Sequence, residues 1–266
     1  MLLASPSSYN MYGIIFLALI AFGFIVFYIK RKPESIDAVF PDSWEKILEE
    51  RVLFYTKLDP VGKTMFEIRV QRFLNAKRIT GVDTEVDDTL KVLVAASAII
   101  PTFSFPTFNY PNVNEVLIYP NAFNKNFETG DGSEGNILGM VGNRFMKGIV
   151  IFSKPSLLKA FDGKAHTFNV GVHEFVHLID GLDGAIDGVP EMLVENSFAL
   201  PWLTEIRKEM SKIKQNDSDI NPYALTNEAE FLAVASEYFF DAPEKFERKH
   251  PELYTYMEKI FRQKFE

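Results

Sequence analysis

The sequence contains no cysteine and only four histidines among its 266 residues. The absence of cysteine excludes disulfide bonds, cysteine-ligated zinc and a thiol nucleophile, and it fits a reducing compartment. A metal site or an acid–base site that requires histidine must therefore draw on a short set: His166, His173, His177 and His250.

Long basic stretches are also absent. The chain has 28 Lys and Arg against 36 Asp and Glu, which gives a formal net charge of −8. This balance argues against a nucleic-acid partner, because such a partner requires a concentrated cationic surface. The hydrophobic content of 47% and the aromatic content of 14% are sufficient for a well-buried core.

One long hydrophobic run lies near the N-terminus, at residues 11–29, and reads MYGIIFLALIAFGFIVFYI without a single charge. A helix of this length spans about 28 Å, close to the roughly 30 Å hydrocarbon core of a bilayer. A cleaved signal peptide would need a basic start and a small-x-small cleavage site, and neither is visible. We therefore predict a retained transmembrane helix that contacts the lipid bilayer through residues 11–29.

The charges that flank this run predict its orientation. Lys30, Arg31 and Lys32 follow it directly, whereas no Lys or Arg precedes it. The positive-inside rule then predicts a single-pass protein of the cell membrane with its C-terminal domain in the cytoplasm. We divide the chain into a short tail (residues 1–10), the membrane helix (11–29), a juxtamembrane linker (30–41) and one domain (42–266).

The remaining sequence predicts an α+β domain. Helices are expected at residues 44–52, from Asp59-Pro60 onward, and from Thr84 or Asp87 to residue 100, where Pro101 stops the helix. Two short β-branched runs, residues 115–119 and 148–153, predict strands, and the glycine-rich segment 129–142 between them predicts a loop. Further helices are expected at residues 157–161, 170–179, 191–214, 228–240 and 243–265.

Residues 173–177 read His-Glu-Phe-Val-His, which is the pattern of a zinc-binding helix. Positions i and i+4 share one helix face, so His173 and His177 can both offer a ring nitrogen to one ion. Glu174 lies beside them, where a carboxylate can act as general base toward an activated water molecule. The alternative is two surface histidines on an ordinary helix.

The third protein ligand is not determined by this spacing. Asp183 lies ten residues after His173, near Gly181 and Gly184, in a position that a glycine turn could bring back to the metal. The competing candidates are the glutamates of the segment TNEAEFLAVASEYFF, namely Glu228, Glu230 and Glu237.

Two strings carry a resemblance to a known family: FNVGVHEFVHLIDGLDGAIDGVP (residues 168–190) and NPYALTNEAEFLAVASEYFFDAPEKF (221–246). They resemble the Mlc titration factor A family of zinc peptidases, and weaker similarity extends the resemblance over most of residues 44–260. The family's [DN]-x-A-E string implies Glu230 as the third zinc ligand. A family tyrosine seven residues earlier falls on Tyr223. Because the anthrax lethal factor catalytic domain shares this Tyr-x6-Glu arrangement, the resemblance implies a zincin-like fold of the gluzincin type.

The resemblance also implies a function. Zn²⁺ held by His173, His177 and Glu230 would activate water for hydrolysis of a peptide or protein substrate, with Glu174 as general base. Tyr223 would hydrogen-bond the oxyanion, unless it is a buried tyrosine that merely bonds a backbone carbonyl.

Other features stay open at this point. Three aspartates could hold a ligand histidine by its second ring nitrogen or could be turn residues: Asp180, Asp183 and Asp187. The predicted anchor departs from the soluble relatives, so their partner Mlc is not transferred and the protein partner is unknown. The alternative function is a membrane-tethered regulatory module that keeps the zinc site but binds a protein without significant proteolysis.

Overall fold

A small mixed β-sheet and a larger set of helices form the part of the chain that the structure describes. This structure is a computed structural model, and it describes residues 39–122, 139–141, 148–164 and 168–265. The predicted membrane helix at residues 11–29 and His166 lie outside these ranges. Within them, no helix combines the length and the apolar character that crossing a bilayer requires.

The described helices confirm most of the predicted ones. In chain order they are α1 (Asp42–Arg51), α2 (Leu53–Thr56), α3 (Pro60–Ala76), α4 (Asp88–Ile99), α5 (Lys154–Ala160), α6 (Val170–Asp180), α7 (Ala199–Lys214), α8 (Glu228–Asp241), α9 (Pro243–Lys249) and α10 (Pro251–Phe261). Short 3-10 turns occur at Ile100–Thr102, Asn196–Phe198 and Pro222–Leu225.

The sheet has the strand order β1-β2-β4-β3, with β1 at Arg78–Gly81, β2 at Glu115–Tyr119, β3 at Gly139–Val141 and β4 at Ile149–Ser153. Strands β1, β2 and β4 are parallel, whereas β3 runs antiparallel to β4 with Gly139 opposite Phe152. Together with the helices, this mixed sheet confirms the α+β class. Strand β3 lies at one end of the described strand order.

Side-chain caps explain where several helices begin. Asp59 accepts a hydrogen bond from the backbone N–H of Gly62 at the start of α3, and Asp87 accepts one from Leu90 at the start of α4. Such caps satisfy backbone donors that have no partner within the helix. The sequence offered Thr84 or Asp87 as the start of α4, and the structure places the cap at Asp87.

Helix α4 forms the centre of the core. All of its residues from Leu90 to Ile99 are buried except Lys91, as expected for a helix that is apolar on every side. Helix α6 packs closely on it at Gly171, where a Cβ atom would collide with the hydroxyl group of Ser97. The glycine therefore allows α6, which carries His173 and His177, to approach α4 closely.

Three predicted helices were wrong in extent. The helix predicted at residues 157–161 begins three residues earlier, at Lys154. The helix predicted at residues 191–214 begins only at Ala199, because the chain after Pro190 forms turns in which Glu191 and Leu193 donate to the carbonyls of Val189 and Pro190. The helix predicted at residues 243–265 is divided into α9 and α10. A residue that precedes proline is disfavoured in helical geometry, and His250 before Pro251 has φ −134° and ψ 57°.

The sequence also missed two strands. Strand β1 was not predicted, and residues 139–141 form β3 although the segment 129–142 was predicted to be a loop. The other residues of that segment lie outside the described ranges. Pro101 ends α4 as predicted, but the chain continues through it as the 3-10 turn Ile100–Thr102, which proline tolerates at its first positions.

Candidate metal centre

Helix α6 places the two histidines of the motif, His173 and His177, on one face, as the motif predicts. Asn169 caps the helix, since its side chain accepts a hydrogen bond from the backbone N–H of Val172. His173 and His177 follow one turn apart, and their Nε2 atoms lie 3.2 Å from each other. Both rings therefore present the same nitrogen to one point.

Glu230 reaches the same point from α8. Asn227 caps this helix, and its side chain accepts a hydrogen bond of 2.9 Å from the backbone N–H of Glu230 itself. The Oε2 atom of Glu230 lies 3.0 Å from Nε2 of His173 and 3.3 Å from Nε2 of His177. Among the carboxylates that the sequence offered as a third ligand, the structure thus brings Glu230 to the two rings.

The three ligand atoms have the spacing that a tetrahedral ion requires. Bonds of about 2.0–2.1 Å separate neighbouring ligands of tetrahedral zinc by about 3.3 Å. The observed separations of 3.0, 3.2 and 3.3 Å are close to that value. Two imidazole nitrogens and one carboxylate oxygen therefore fit a metal ion in both chemistry and geometry.

The histidines and carboxylates of the centre shift each other's pKa values. Burial lowers the pKa of His173, but hydrogen bonds to Glu230 and Glu237 outweigh burial and raise that pKa to about 10. Burial raises the pKa of Glu230, whereas hydrogen bonds to His173 and His177 prevail and lower it to about 2. The ionised carboxylate is the form that coordinates a metal.

Glu237 holds His173 from the side opposite to this point. Its Oε1 lies 2.6 Å from Nδ1 of His173, and its Oε2 accepts a hydrogen bond from the backbone N–H of Asn169. The sequence included Glu237 only among the possible ligands and did not predict this contact. A signal existed in its spacing, because Glu237 follows Glu230 by seven residues, or two turns, on the same face of α8.

Glu174 is buried beside the two histidines. Burial raises its pKa above the ordinary value, while the adjacent charges of His173 and His177 lower it. Strand β3 approaches this carboxylate closely. A Cβ atom added to Gly139 would lie 2.8 Å from both Cγ and Oε1 of Glu174. The glycine therefore leaves the space that the Glu174 side chain occupies.

Tyr223 lies near the centre on the exposed turn Pro222–Leu225. Its side chain is 53% exposed, and its ring centroid is 6.1 Å from that of His173. Burial and the nearby carboxylates of Glu230 and Glu174 raise the pKa of its hydroxyl group, so the group remains protonated. The hydroxyl makes no hydrogen bond to any residue in the described ranges, which contradicts the alternative of a buried tyrosine bonded to a backbone carbonyl.

None of the three aspartates considered for holding a ligand histidine makes that contact. Asp183 and Asp187 accept hydrogen bonds from Ala185 and Val189 within their own turns. Asp180 accepts one of 2.8 Å from Gly188.

One buried ring nitrogen of the centre has no hydrogen-bond partner among the described residues. Nδ1 of His177 is buried without a partner among the described residues, as is Oδ1 of Asp180. The contact with a ligand histidine that the sequence left open for Asp180 is therefore not formed in this structure.

A comparison with protein families identifies the chain. The model of the glucose-regulated metallo-peptidase M90 family matches residues 28–262, which include every residue of the centre. The chain belongs to this family. The match includes only the last two residues of the predicted membrane segment, and it confirms the resemblance that the two strings carried.

Individual relatives of this M90 chain agree with the assignment. It is 29% identical to Mlc titration factor A of Klebsiella pneumoniae (strain 342) over 242 residues, covering 85% of this chain and 86% of the relative. It is 28% identical to Mlc titration factor A of Escherichia fergusonii, covering 79% and 82%. It is also 28% identical to an uncharacterized protein of Synechocystis sp., covering 87% of this chain and 87% of the relative.

Proposed function

We propose that this M90 family member is a zinc-dependent peptidase whose domain, residues 42–266, is tethered to the cell membrane by a helix at residues 11–29. The convergence of two imidazole nitrogens and one carboxylate oxygen at tetrahedral spacing, beside a buried glutamate, carries this proposal. Membership of a metallo-peptidase family supports it.

Zinc is the metal that this donor set favours. Catalytic zinc sites use three protein ligands drawn from histidine and carboxylate, and they leave a fourth position open. We assign His173, His177 and Glu230 as ligands. When bound there, zinc would supply a Lewis acid that lowers the pKa of water and polarises the substrate carbonyl.

The side chains around the ligands then have defined tasks. Glu174 accepts the proton of the attacking water molecule and passes it to the leaving amine, and burial supports this role because it raises the proton affinity of the carboxylate. Tyr223 keeps its hydroxyl proton and donates a hydrogen bond to the oxyanion of the tetrahedral intermediate. Glu237 orients the ring of His173 and selects its tautomer.

Strand β3 is where we expect an extended peptide to bind. It stands at the end of the described strand order and passes directly beside Glu174. An edge strand offers backbone N–H and C=O groups on its outer side, and a substrate can pair with them as an added strand. The scissile bond would then lie close to the catalytic carboxylate.

The decisive experiment compares wild type with Glu174→Gln in the purified full-length chain. Both proteins are incubated with a mixed peptide library, new termini are read by mass spectrometry, and zinc content is measured by elemental analysis. Because Glu174 is a base and not a ligand, the variant should retain zinc while cleavage falls by about 10²–10⁴-fold.

The exposed residue Glu191 provides a matched control, and Glu191→Gln should cleave as wild type does. Equal residual cleavage by wild type and Glu174→Gln would show that the chain is not a peptidase. The tethered zinc-containing module that binds a protein partner would then replace the proposal.

A further inference from the structure

A cavity of about 300 Å³ lies between α3 and the segment that precedes β2, apart from the candidate metal centre. Three cationic side chains and three aromatic rings form much of its wall: Arg69, Arg72, Lys77, Phe73, Phe108 and Tyr110. The volume is at the lower end of the range for small-molecule pockets. No Asp or Glu is among the described residues that line it.

The cations of this wall form no ion pair with a carboxylate in the part of the chain that the structure describes. Arg69 is buried and donates to the carbonyls of Thr102 and Phe103 and to the Thr102 hydroxyl. Lys77 donates to the carbonyls of Tyr110 and Val113, both at 2.7 Å. Every one of these acceptors is uncharged, so the positive charges remain available to a ligand.

Arg72 adds a third charge at the exposed rim, and it forms no ion pair with a described residue. An acid-rich chain of net charge −8 thus collects three unpaired cations around one cavity. Burial, and then the charge of Arg72, lower the pKa of Arg69, and a bound anion would remove this repulsion between the two cations.

Donors for such an anion remain on the same side chains. A guanidinium group has five N–H donors, and a lysine ammonium has three. Arg69 uses three of its donors and Lys77 uses two in the described contacts. The remaining N–H groups, together with those of Arg72, match the acceptor oxygens of a carboxylate or a phosphate.

The aromatic part of the wall indicates the rest of the ligand. Phe108 and Tyr110 are in edge contact, with ring centroids 4.8 Å apart. Tyr110 has φ +50°, a left-handed conformation that is unfavourable for a bulky residue, and the Lys77 bond to its carbonyl helps to hold it. Backbone strain of this kind concentrates at ligand sites.

From these observations we infer that the cavity binds a small organic anion, with a carboxylate or phosphate headgroup at its cationic side chains and a planar apolar body against the rings. The site lies behind the catalytic helix. The rings of Phe73 and Tyr110 contact Phe175, which projects from the face of α6 opposite His173 and His177. The inference does not depend on the peptidase activity.

Calorimetric titration of the full-length chain tests the inference with four probes: benzoate, phenyl phosphate, benzyl alcohol and inorganic phosphate. At least one of the two aromatic anions should bind with one-to-one stoichiometry at millimolar concentration. Comparison of benzoate with phenyl phosphate shows which headgroup the cations prefer. Benzyl alcohol lacks the charge and inorganic phosphate lacks the apolar body, so each should bind at least about tenfold more weakly than the better anion.

The variants localise the binding. Arg72→Gln should weaken the better anion by about tenfold or more, because hydrogen bonds to charged groups contribute that much, and Lys77→Met should act in the same direction. Arg248→Gln removes an exposed cation of α9 as the matched control and should have no effect. Arg72 is exposed, so its variant is expected to fold even if Lys77→Met does not.

Three results would overturn the inference. They are no binding of either aromatic anion, equal binding of benzyl alcohol or of inorganic phosphate, and equal affinities of Arg72→Gln and Arg248→Gln. The last result would mean that the anion binds away from this cavity, for example at the metal centre, which contains no Arg72.

Discussion

At the scale of single residues, Glu237 distinguishes the candidate metal centre from a bare ligand set. Its carboxylate bonds the ring nitrogen of His173 that faces away from the shared point, and it also binds the backbone at the start of α6. Such contacts fix the tautomer of a ligand histidine and raise its basicity. The orientation of His173 therefore depends on a residue that would not touch the metal.

We predict that Glu237→Gln lowers zinc affinity by about 10–100-fold while the protein stays folded, because partners of ligand histidines typically contribute that much. Competition with a fluorescent zinc chelator measures the affinity, and circular dichroism checks the fold. The exposed residue Glu247 of α9 supplies the control, and Glu247→Gln should bind zinc as wild type does. An unchanged affinity in Glu237→Gln would remove this residue from the centre.

Gly139 provides a second residue-scale prediction. The added methyl group of Gly139→Ala would lie 2.7 Å from a methyl group of Val170 and 2.8 Å from the Glu174 carboxylate, so one of them must move. We expect kcat to fall by about tenfold or more, since small displacements of catalytic groups are costly, whereas zinc content should not change. Steady-state kinetics with a cleaved library peptide measures this, and wild-type kcat would contradict the proposed proximity.

The residues of the centre differ in how far the sequence could predict them. His173, Glu174 and His177 lie within one helical turn, so their spacing alone brings them together. Glu230 is 57 residues from His173, and only the family resemblance selected it over Asp183. Glu237 was missed as a partner of His173 because its role depends on how α8 docks against α6, which local spacing does not contain.

At the scale of elements, a second polar network, centred on the buried side chains of His250 and Glu209, joins helices α7, α8 and α9. His250 lies between two carboxylates, with Nδ1 3.2 Å from Glu209 of α7 and Nε2 2.9 Å from Asp219. Asp219 also accepts hydrogen bonds from Tyr238 of α8 and Lys245 of α9, and Lys212 contacts Glu209. Asp219 precedes the turn that carries Tyr223, so this network connects that turn to three helices.

We predict that His250→Gln destabilises the fold by about 2 kcal/mol near pH 6, as expected for buried hydrogen bonds to charged groups. Burial lowers the pKa of His250, but the bonds to Glu209 and Asp219 prevail and raise it above the ordinary value. The folded-state pKa therefore exceeds the unfolded value of about 6.5. The stabilisation from the charged His250 is complete below the unfolded-state pKa, and it disappears as pH rises through the folded-state pKa.

Urea unfolding of the full-length chain at about pH 6 and in alkaline buffer measures this pH dependence. The difference in free energy of unfolding between wild type and His250→Gln should narrow at the higher pH. Lys249→Gln, an exposed neighbour, should show no such trend. A difference that does not vary with pH would mean that His250 contributes through packing and not through its charge.

Element boundaries followed the local chemistry of the sequence where that chemistry was decisive. Helix α6 and strand β2 lie where they were expected, because their apolar periodicity coincides with clear end signals. Strands β1 and β3 have only four and three residues, and β1 pairs with a strand that is distant in sequence, since Arg78 lies opposite Glu115. Such short segments carry too little periodicity to be recognised as strands. Their strand conformation depends on pairing with other strands in the folded protein.

At the scale of the whole molecule, the α+β class was predictable from the order of helical and strand patterns, whereas the sheet order was not. The order β1-β2-β4-β3 places β3 beside Glu174, and no local pattern of residues 139–141 indicates that neighbour. The proposed membrane helix at residues 11–29 stays a prediction of the sequence.

We predict that the domain faces the cytoplasm, because three cations, Lys30, Arg31 and Lys32, follow the hydrophobic run. A C-terminal fusion to a reporter that is active only in the cytoplasm should be active, and a fusion to one that requires export should be silent. As a control, replacing the three cations with Gln should weaken this preference. An exported C-terminus in the unaltered chain would contradict the orientation.

The separation of the ligands along the chain has a consequence for synthesis. Glu230 follows His173 by 57 residues, so at about 5–20 residues per second the ribosome adds it roughly 3 to 11 s later. During that interval a nascent chain contains the two histidines without the carboxylate that would complete the site. If the proposed function is right, the growing polypeptide cannot cleave other proteins during this interval. A product truncated before Glu228, the first residue of the helix that carries Glu230, would never become active.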